Sequence, residues 1–230
     1  MSNSGQNPID YKRQLSLTAM TVAKQRALTS SKVLVLAETD GAGFLVQALC
    51  QSGVGEIRVA TGAGYNIERV AEVSLDGETS LSIFPFAGLD ELEKMIADVD
   101  VVCETLLNWQ LKLGLSDRCM RLGVPLIHSG IVGHRYQCYS IMPGKSACLR
   151  CALPKAGIED FPLGPTSVHP LIAVEAWAGS VMAIDVLKIV ADLGVLQTNT
   201  LWRLDPLSGD REAVRNLKPS DDCPDCRIYQ

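Results

Sequence analysis

Short apolar runs alternate with longer stretches of mixed character along the first 130 residues. Each run has the length of one strand and little polar interruption, which is typical of parallel strands buried on both faces. The pattern predicts strands at 33–36, 57–60, 81–84, 99–103 and 125–128. It predicts helices at 14–29, from the turn at 38–41 to about Gly53, at 89–97 and at 108–122. Strands and helices that alternate at this spacing indicate an α/β fold with a doubly wound, mostly parallel sheet.

The pattern changes after residue 130. Residues 133–142 are predicted to form one strand of a hairpin, and 201–204 with 213–217 a second hairpin that closes the chain. A helix at 170–193 is apolar on most sides, so we expect it to lie in the core or in a subunit interface. The sequence therefore predicts a C-terminal antiparallel extension of the sheet. It also predicts a dimer formed through this helix and the first one.

The chain of 230 residues is long enough for one large α/β domain, and it contains no internal repeat. We expect a single domain over residues 1–230. Residues 1–10 are polar and are predicted to form a flexible arm. A first half follows at 11–130. The second half, at 131–230, contains an irregular loop rich in proline and glycine at 152–168.

The net charge of −5 comes without any block of basic residues. Nucleic-acid surfaces need clustered lysine and arginine, so the composition argues against a nucleic-acid partner and leaves proteins, peptides and small molecules. No run approaches the roughly 18 uncharged apolar residues of a membrane span, and the N-terminus has no apolar signal core. We therefore expect a cytoplasmic protein without a membrane partner.

Eight cysteines occur, and cytoplasmic thiols seldom pair as disulfides. Four lie in two Cys-x-x-Cys pairs, Cys148 with Cys151 and Cys223 with Cys226. Two such pairs can make a closed tetrahedral zinc site with four cysteine ligands, and a closed shell indicates a structural role. A redox pair, or two unrelated pairs, are the alternatives. The remaining cysteines are expected to be small buried apolar residues: Cys50, Cys103, Cys119 and Cys138.

The order of these features resembles the ThiF/MoeB/HesA family, whose members are relatives of the ubiquitin-activating enzymes. The resemblance rests on short motifs at 11–14 (Tyr-Lys-Arg-Gln), 53–55 (Gly-Val-Gly), 123–127, 129–130, 143–144, 148–151, 205–209 and 223–226. The family has a Rossmann-like fold and uses ATP to adenylate the C-terminal carboxylate of a ubiquitin-like sulfur carrier or a peptide. The resemblance implies that 11–130 is a nucleotide-binding half. It also implies that 131–230 is a zinc-stapled half with a crossover loop at 152–168.

The turn after the first strand departs from the family's phosphate loop, Gly-x-Gly-Gly-x-Gly. An ungapped match over 33–55 places at those four glycines Ala37, Thr39, Asp40 and Ala42. Glycine lets the backbone approach phosphates at a helix N-terminus, whereas Asp40 puts a carboxylate there. We expect Asp40 to cap the helix and to repel a triphosphate. Gly41 and Gly43 leave a shifted phosphate loop as the alternative.

Other nucleotide contacts of the family are also lost. Thr61 stands where an acid at the end of the second strand holds the ribose. Leu107 replaces the aspartate that holds magnesium, and leucine cannot ligate a hard cation. The family's phosphate-binding lysine has no counterpart, because no lysine occurs at 33–93. Asn66 and Arg69 match the family's Asn-Leu-x-Arg only if about three residues are deleted. The resemblance thus implies a degenerate nucleotide cleft.

Few residues remain as candidates for catalysis. Arg13 is similar to the arginine that in the family reaches across the dimer into the partner's ATP site, and an ordinary exposed arginine is the alternative. His128, His134 and His169 fall on different elements without a metal-ligand spacing, so we expect structural roles. The loop at 152–168 contains no cysteine, which argues against a thioester or persulfide relay there.

These observations favour a ThiF/MoeB-like protein that lacks its own adenylation activity and acts as a binding or partner subunit. The expected partners are a ThiF-like subunit, in a homo- or heterodimer, and a ubiquitin-like carrier protein or peptide. Structural zinc is the expected cofactor, and ATP with magnesium is disfavoured. The alternative is a divergent but active adenylyltransferase that activates the C-terminal carboxylate of a small carrier protein, peptide or cofactor precursor. A nicotinamide dehydrogenase is disfavoured because the chain lacks Gly-x-Gly-x-x-Gly.

Overall fold

A computed structural model places eight strands in one sheet, in the order β3-β2-β1-β4-β5-β6-β7-β8. It describes residues 11–62, 65, 79–132, 134–158 and 171–229. The strands are β1 (Lys32–Ala37), β2 (Glu56–Thr61), β3 (Ser80–Pro85), β4 (Val101–Glu104), β5 (Leu126–Val132), β6 (Arg135–Ile141), β7 (Leu201–Leu204) and β8 (Arg211–Val214). The helices of the described ranges are α1 (Lys12–Leu15), α2 (Val22–Thr29), α3 (Gly41–Ser52), α4 (Leu89–Ile96), α5 (Trp109–Leu122), α6 (Leu149–Lys155), α7 (Ile172–Ala191) and α8 (Pro224–Arg227).

The pairing of the strands changes once across the sheet, from parallel to antiparallel. Five neighbouring strands, in the sheet order β3-β2-β1-β4-β5, pair in parallel. The next strand, β6, is antiparallel to β5, and β7 and β8 are each antiparallel to the strand before them. The structure therefore confirms the predicted mostly parallel, doubly wound sheet with a C-terminal antiparallel extension. The predicted arm at 1–10, and residues 159–168 of the predicted loop, lie outside the described residues.

The core lies on both faces of this sheet. Along β1, Val33, Val35 and Ala37 pack with the core on the side of α3 and α7, while Leu34 and Leu36 pack with the core on the side of α4 and α5. All five side chains are fully buried. The continuous apolar run that predicted β1 is thus explained by a strand covered on both sides.

The single helix predicted at 14–29 is wrong, because the chain forms α1 and α2 with a break between them. Thr21 ends the break with an extended backbone, and its Oγ1 accepts a hydrogen bond from the N–H of Lys24 (3.3 Å). Before it, the hydroxyl of Ser16 donates to the carbonyl of Arg13 (2.6 Å). Serine and threonine compete for backbone groups in this way and favour caps over helix interiors.

Two predicted boundaries in the second half are corrected. The last strand was expected at 213–217, but β8 ends at Val214, and Asn216 has a left-handed φ of 63° that a strand does not accept. The loop expected from residue 152 begins later, because α6 runs through Pro154 to Lys155. Pro154 has no N–H to donate, and the helix ends one residue after it.

The long helix α7 packs closely against α3. Gly179 makes this possible, since a Cβ added there would lie 2.6 Å from the carbonyl oxygen of Gly41 and 2.9 Å from the N–H nitrogen of Leu45. Ile172 and Ile184 on α7 are about half exposed, so the chain itself does not cover this apolar helix completely. No helix among the described residues combines the length and apolar character needed to cross a membrane.

We expect Gly179→Ala to destabilise the protein. Alanine usually stabilises a helix interior by about 1 kcal/mol relative to glycine, but here the added carbon meets backbone atoms that cannot move aside. Overpacking of this kind costs about 1–3 kcal/mol, so the Tm in differential scanning calorimetry should fall. Gly114→Ala on α5 is the matched control, because its added carbon meets only the far ends of two side chains, Leu89 (2.9 Å) and Arg118 (3.6 Å). Equal Tm changes in both variants would contradict the close contact of α3 and α7.

Candidate functional site

The candidate site is a crevice at the centre of the sheet, where β1 and β4 lie side by side. β1 continues through α3 to β2 on one side, and β4 continues through α5 to β5 on the other. Open parallel sheets bind ligands outside the carboxyl ends of their strands at such a reversal of direction. The relevant segments are therefore those that follow Ala37 in β1, Thr61 in β2 and Glu104 in β4.

The turn after β1 uses its own carbonyl groups to satisfy the start of α3. The N–H of Ala42 donates to the carbonyl of Thr39 (3.1 Å), and the N–H of Gly43 donates to the carbonyl of Asp40 (3.0 Å). Amides of a first helical turn are the groups that cradle phosphates in nucleotide-binding proteins. In this chain these two amides have partners within the turn.

Asp40 directly precedes α3, but it does not cap the helix with its side chain. Its backbone is itself helical (φ −61°, ψ −20°), whereas a capping side chain needs an extended backbone to reach the first-turn amides. The predicted side-chain cap is therefore wrong. The prediction that the Asp40 carboxylate repels a triphosphate stays a prediction.

Gly41 and Gly43 are helical residues of α3 and do not form a separate loop. Gly41 is buried, and a Cβ added there would lie 3.4 Å from the backbone oxygen of Glu175 on α7. The glycine at the start of α3 thus belongs to the contact between two helices. Its position inside the first turn of α3 differs from that of a glycine in a separate phosphate loop.

The end of β2 offers a hydroxyl group and no acid in the described residues. The Oγ1 of Thr61 donates to the carbonyl of Phe84 on β3 (3.4 Å), and the side chain is buried. Asn66 and Arg69, the other predicted residues of the cleft, lie outside the described residues. Their part in the site remains a prediction.

Glu38 occupies the crevice, and sequence reasoning missed it. Its Oε2 accepts a hydrogen bond from the N–H of Leu107 (2.7 Å), which lies just after β4. The backbone N–H groups of Glu38 and Thr39 point to the Oγ1 of Thr105 (3.3 and 3.4 Å). The sequence offered one signal for this residue, a glutamate directly after the continuous apolar run at 33–37. The result is a crevice bridged by the chain's own carboxylate.

A second acidic group lies under the crevice in a buried charged cluster of Glu104, Lys112 and His128. All three are at most 1% exposed. The Nζ of Lys112 donates to Glu104 Oε2 (2.8 Å) and to the carbonyl of Ser129. The Nδ1 of His128 contacts Glu104 Oε1, and its Nε2 lies 3.3 Å from the amide nitrogen of Gln137. This pattern assigns a neutral imidazole with its proton on Nδ1.

The charge states of the cluster follow from burial and from the partners. Burial lowers the pKa of His128, against the attraction of Glu104, so the ring is held neutral. Burial is the largest influence and by itself would raise the pKa of Glu104, but the positive charge of Lys112, the interaction with His128 and the hydrogen bonds from both residues together outweigh it. The pKa of Glu104 therefore lies below its ordinary value. The cluster holds one carboxylate and one ammonium group away from water.

A small cavity separates this cluster from the crevice. Its polar lining comes from Thr39, Thr105, Lys112, Ser129 and Tyr136. Its volume is about 10 Å³, which is room for about one water molecule. Pockets for ligands the size of a drug measure roughly 300–1,000 Å³. This cavity by itself therefore has no room for a nucleotide.

The two Cys-x-x-Cys pairs meet at one point, where their four sulfur atoms lie within 4.8 Å of one another. The Sγ atoms of Cys148 and Cys223 are 3.7 Å apart, and those of Cys151 and Cys226 are 3.9 Å apart. All four residues are buried. This cluster could hold a metal ion, and it fastens α8 near the C-terminus to α6.

The remaining candidates do not join either site within the described residues. Arg13 is exposed on α1, and its predicted reach into a partner's site stays a prediction. His134 lies at the surface, where its Nε2 is 2.9 Å from the carboxylate of Asp205. His128 belongs to the buried cluster, and His169 lies outside the described residues. His128 and His134 thus serve separate contacts.

The sequence matches the ThiF family over residues 68–227, which is more than half of the chain. This span includes both cysteine pairs and begins after the turn that follows β1. The family match therefore does not depend on the altered phosphate loop.

Two curated relatives are similar to the chain over most of its length. The adenylyltransferase and sulfurtransferase MOCS3 of Bos taurus is 25% identical, over 94% of this chain and 52% of that protein. The SAMP-activating enzyme E1 of Haloferax volcanii is also 25% identical, over 94% of this chain and 87% of that protein. The chain thus spans about half the length of the MOCS3 proteins it matches.

Among solved structures, MccB of E. coli in complex with succinimide superposes with a TM-score of 0.76. The alignment covers 96% of this chain and 75% of MccB, at 19% sequence identity. At this level of identity the likeness establishes the fold.

We expect the buried cluster to make the protein sensitive to mild acid. The folded-state pKa of His128 is below its ordinary value of about 6.5, so His128 contributes stability above that pH and loses it as the pH falls. Urea unfolding should give a smaller free energy at pH 5.5 than at pH 7.5. His128→Gln should flatten this dependence, and His134→Gln at the surface should keep it. A dependence that survives in His128→Gln would contradict the assignment.

Proposed function

Because the chain belongs to the ThiF family, we propose that it serves a ubiquitin-like, sulfur-carrier or peptide-activation pathway as a binding or partner subunit. In this proposal it does not adenylate a substrate itself. The names of its relatives support the proposed pathway class, since they include an adenylyltransferase and sulfurtransferase and a SAMP-activating enzyme. The proposed loss of activity is inferred from the contacts in the crevice.

The observation that carries the proposal is the carboxylate of Glu38 bound to the N–H of Leu107 (2.7 Å). It fills the place between β1 and β4 where an open parallel sheet receives its ligand. The adjacent first-turn amides of α3 also donate within the turn. A nucleotide would have to displace a resident acid and would find few free amides.

The negative charge of the turn disfavours a nucleotide, in addition to the space that Glu38 occupies. Glu38 and Asp40 put two acidic side chains in the turn, and the sequence contains no lysine at 33–93 that could offset a triphosphate. Like charges at close range cost free energy, and more so where water is excluded. We therefore infer that the crevice repels polyphosphates rather than holding them.

The alternative is an active, divergent adenylyltransferase, and the activities named for the relatives favour it. This alternative requires a rearrangement of the Glu38 side chain. Leu107 has no atom that ligates magnesium, so Glu38 would have to leave the Leu107 amide and turn towards the metal. The closed crevice favours the inactive form of the proposal.

For partners we propose a homo- or heterodimer with a ThiF-like subunit, and a ubiquitin-like carrier protein or peptide as ligand. Support for the dimer comes from exposed apolar side chains. Ile172 and Ile184 on α7 are 53% and 52% exposed, and Leu17 and Val22 beside α2 are 56% and 58% exposed. Exposed apolar side chains support a subunit contact of this kind where they form a contiguous patch. Arg13 lies on the same N-terminal segment, as a contact to the partner's site requires.

For the cysteine cluster we propose structural zinc. A tetrahedral site with Zn–S bonds of about 2.3 Å has sulfur–sulfur edges of about 3.8 Å. The observed edges of 3.7 Å and 3.9 Å fit this geometry. Backbone amides also point at the sulfurs, from Cys148 to Cys226 (3.5 Å) and from Ser220 to Cys151 (3.3 Å). Four convergent sulfurs support one closed site over the alternatives of a redox pair or two unrelated pairs.

We expect isothermal titration calorimetry to detect no binding of Mg-ATP at micromolar concentrations. The Glu38 carboxylate already bonds the Leu107 amide, and amides of the first turn of α3 already donate within that turn. MccB of E. coli, which has been solved with ATP, is the positive control. The same samples should show no ATP–pyrophosphate exchange with small carrier proteins that end in Gly-Gly. Micromolar binding or exchange would favour the active alternative.

We expect about one zinc per chain by mass spectrometry of the metal content, because four thiolates complete a single tetrahedral shell. Cys226→Ser should lose most of the zinc and lower the Tm, since it frees α8 from α6. Cys50→Ser is the control, because Cys50 is buried on α3 outside the cluster. The absence of zinc together with four reactive thiols at these positions would refute the proposal.

A further inference from the structure

Glu38 makes contacts that reach three of the central strands. It follows β1, its Oε2 accepts from the N–H of Leu107 after β4, and its other oxygen lies against Gly62 after β2. A Cβ added at Gly62 would lie 2.3 Å from Glu38 Oε1. Gly62 therefore leaves the space that the carboxylate fills. Glu38 thus occupies the crevice, and the absence of a side chain at Gly62 leaves room for its carboxylate.

The floor of the crevice contains a polar atom with unused bonding capacity. Thr39 is 7% exposed, and its Oγ1 has no hydrogen-bond partner among the described residues. Thr39 and Leu107 line the same small cavity. The Thr39 hydroxyl group and the Leu107 amide, which Glu38 now bonds, therefore lie beside one cavity. Both groups can donate to an oxyanion.

We propose that Glu38 is an internal anion that closes an oxyanion-binding crevice, and that its removal lets the crevice bind a polyphosphate. The inference rests on the proposed loss of adenylation and names the residue responsible for it. Glu38 satisfies the Leu107 amide in the way an external phosphate oxygen would. Asp40 is a bystander to this closure, because Glu38 is the acid that bonds across the crevice.

Occupancy and charge can be separated by two substitutions. Glu38→Ala removes the whole group and frees the Leu107 amide. Glu38→Gln removes the charge but keeps an oxygen that can accept the same hydrogen bond. Closure by occupancy predicts that the alanine variant gains binding and that the glutamine variant gains much less.

The test is calorimetric titration of the full chain with sodium tripolyphosphate at low salt. We expect Glu38→Ala to bind at least tenfold more tightly than the wild type. Glu56→Gln is the control for a lost acidic charge, because Glu56 pairs with Arg58 at the opposite end of β2. Backbone amide NMR on leucine-labelled protein should show the Leu107 resonance shifting on titration in Glu38→Ala alone. Circular dichroism and the Tm establish that each variant is folded.

The possible results lead to distinct conclusions. A folded Glu38→Ala that binds no better than the wild type overturns the inference and leaves the proposed function intact. Gain of binding in Asp40→Ala but not in Glu38→Ala also overturns it, since Asp40 would then be the excluding group. Tight binding by the wild type overturns the proposed function itself. If Glu38→Ala does not fold, Gly62→Ala provides the second variant, because it displaces the carboxylate sterically and should also open the site.

Discussion

The hydrogen bond from the Leu107 amide to the Glu38 carboxylate joins the two central strands of the sheet at the point where ligands enter folds of this kind. A parallel sheet leaves backbone amides without partners beyond the ends of its strands, and something must satisfy them. In a nucleotide-binding protein, a phosphate group accepts hydrogen bonds from such amides. Here an acid from the neighbouring strand does so, and Gly62 provides the space for it. The absence of the phosphate-loop glycines is consistent with the proposal that the chain binds no phosphate here.

The remainder of the fold is held by groups that do not depend on a nucleotide. The cysteine cluster fastens the C-terminal segment to α6, and the buried pair of Glu104 and Lys112 links β4 to α5. Removing one partner of such a pair costs about 3–5 kcal/mol, so the segments beneath the crevice are strongly fixed. The family match begins after the turn of β1 and covers both of these features. The scaffold of the family can therefore persist while the crevice takes a different role.

The sequence was sufficient for the sheet and for the cysteine cluster, since continuous apolar runs and Cys-x-x-Cys spacing report directly on burial and ligation. It was insufficient where one side chain changes the local backbone. Thr21 starts a new helix by capping it, and Asn216 ends a strand through its left-handed φ. Contacts between distant residues were also out of reach. Glu38 and Leu107 are 69 positions apart, and His128 and Glu104 are 24 positions apart, so only the folded sheet brings them together.

The most direct measurement is a crystal structure of the wild-type chain grown with a magnesium complex of a non-hydrolysable ATP analogue. We expect the Glu38 carboxylate to remain bonded to the Leu107 amide, with no triphosphate beside Gly41 and Gly43. Triphosphate density against those two glycines, with Glu38 turned away from Leu107, would contradict the closed crevice.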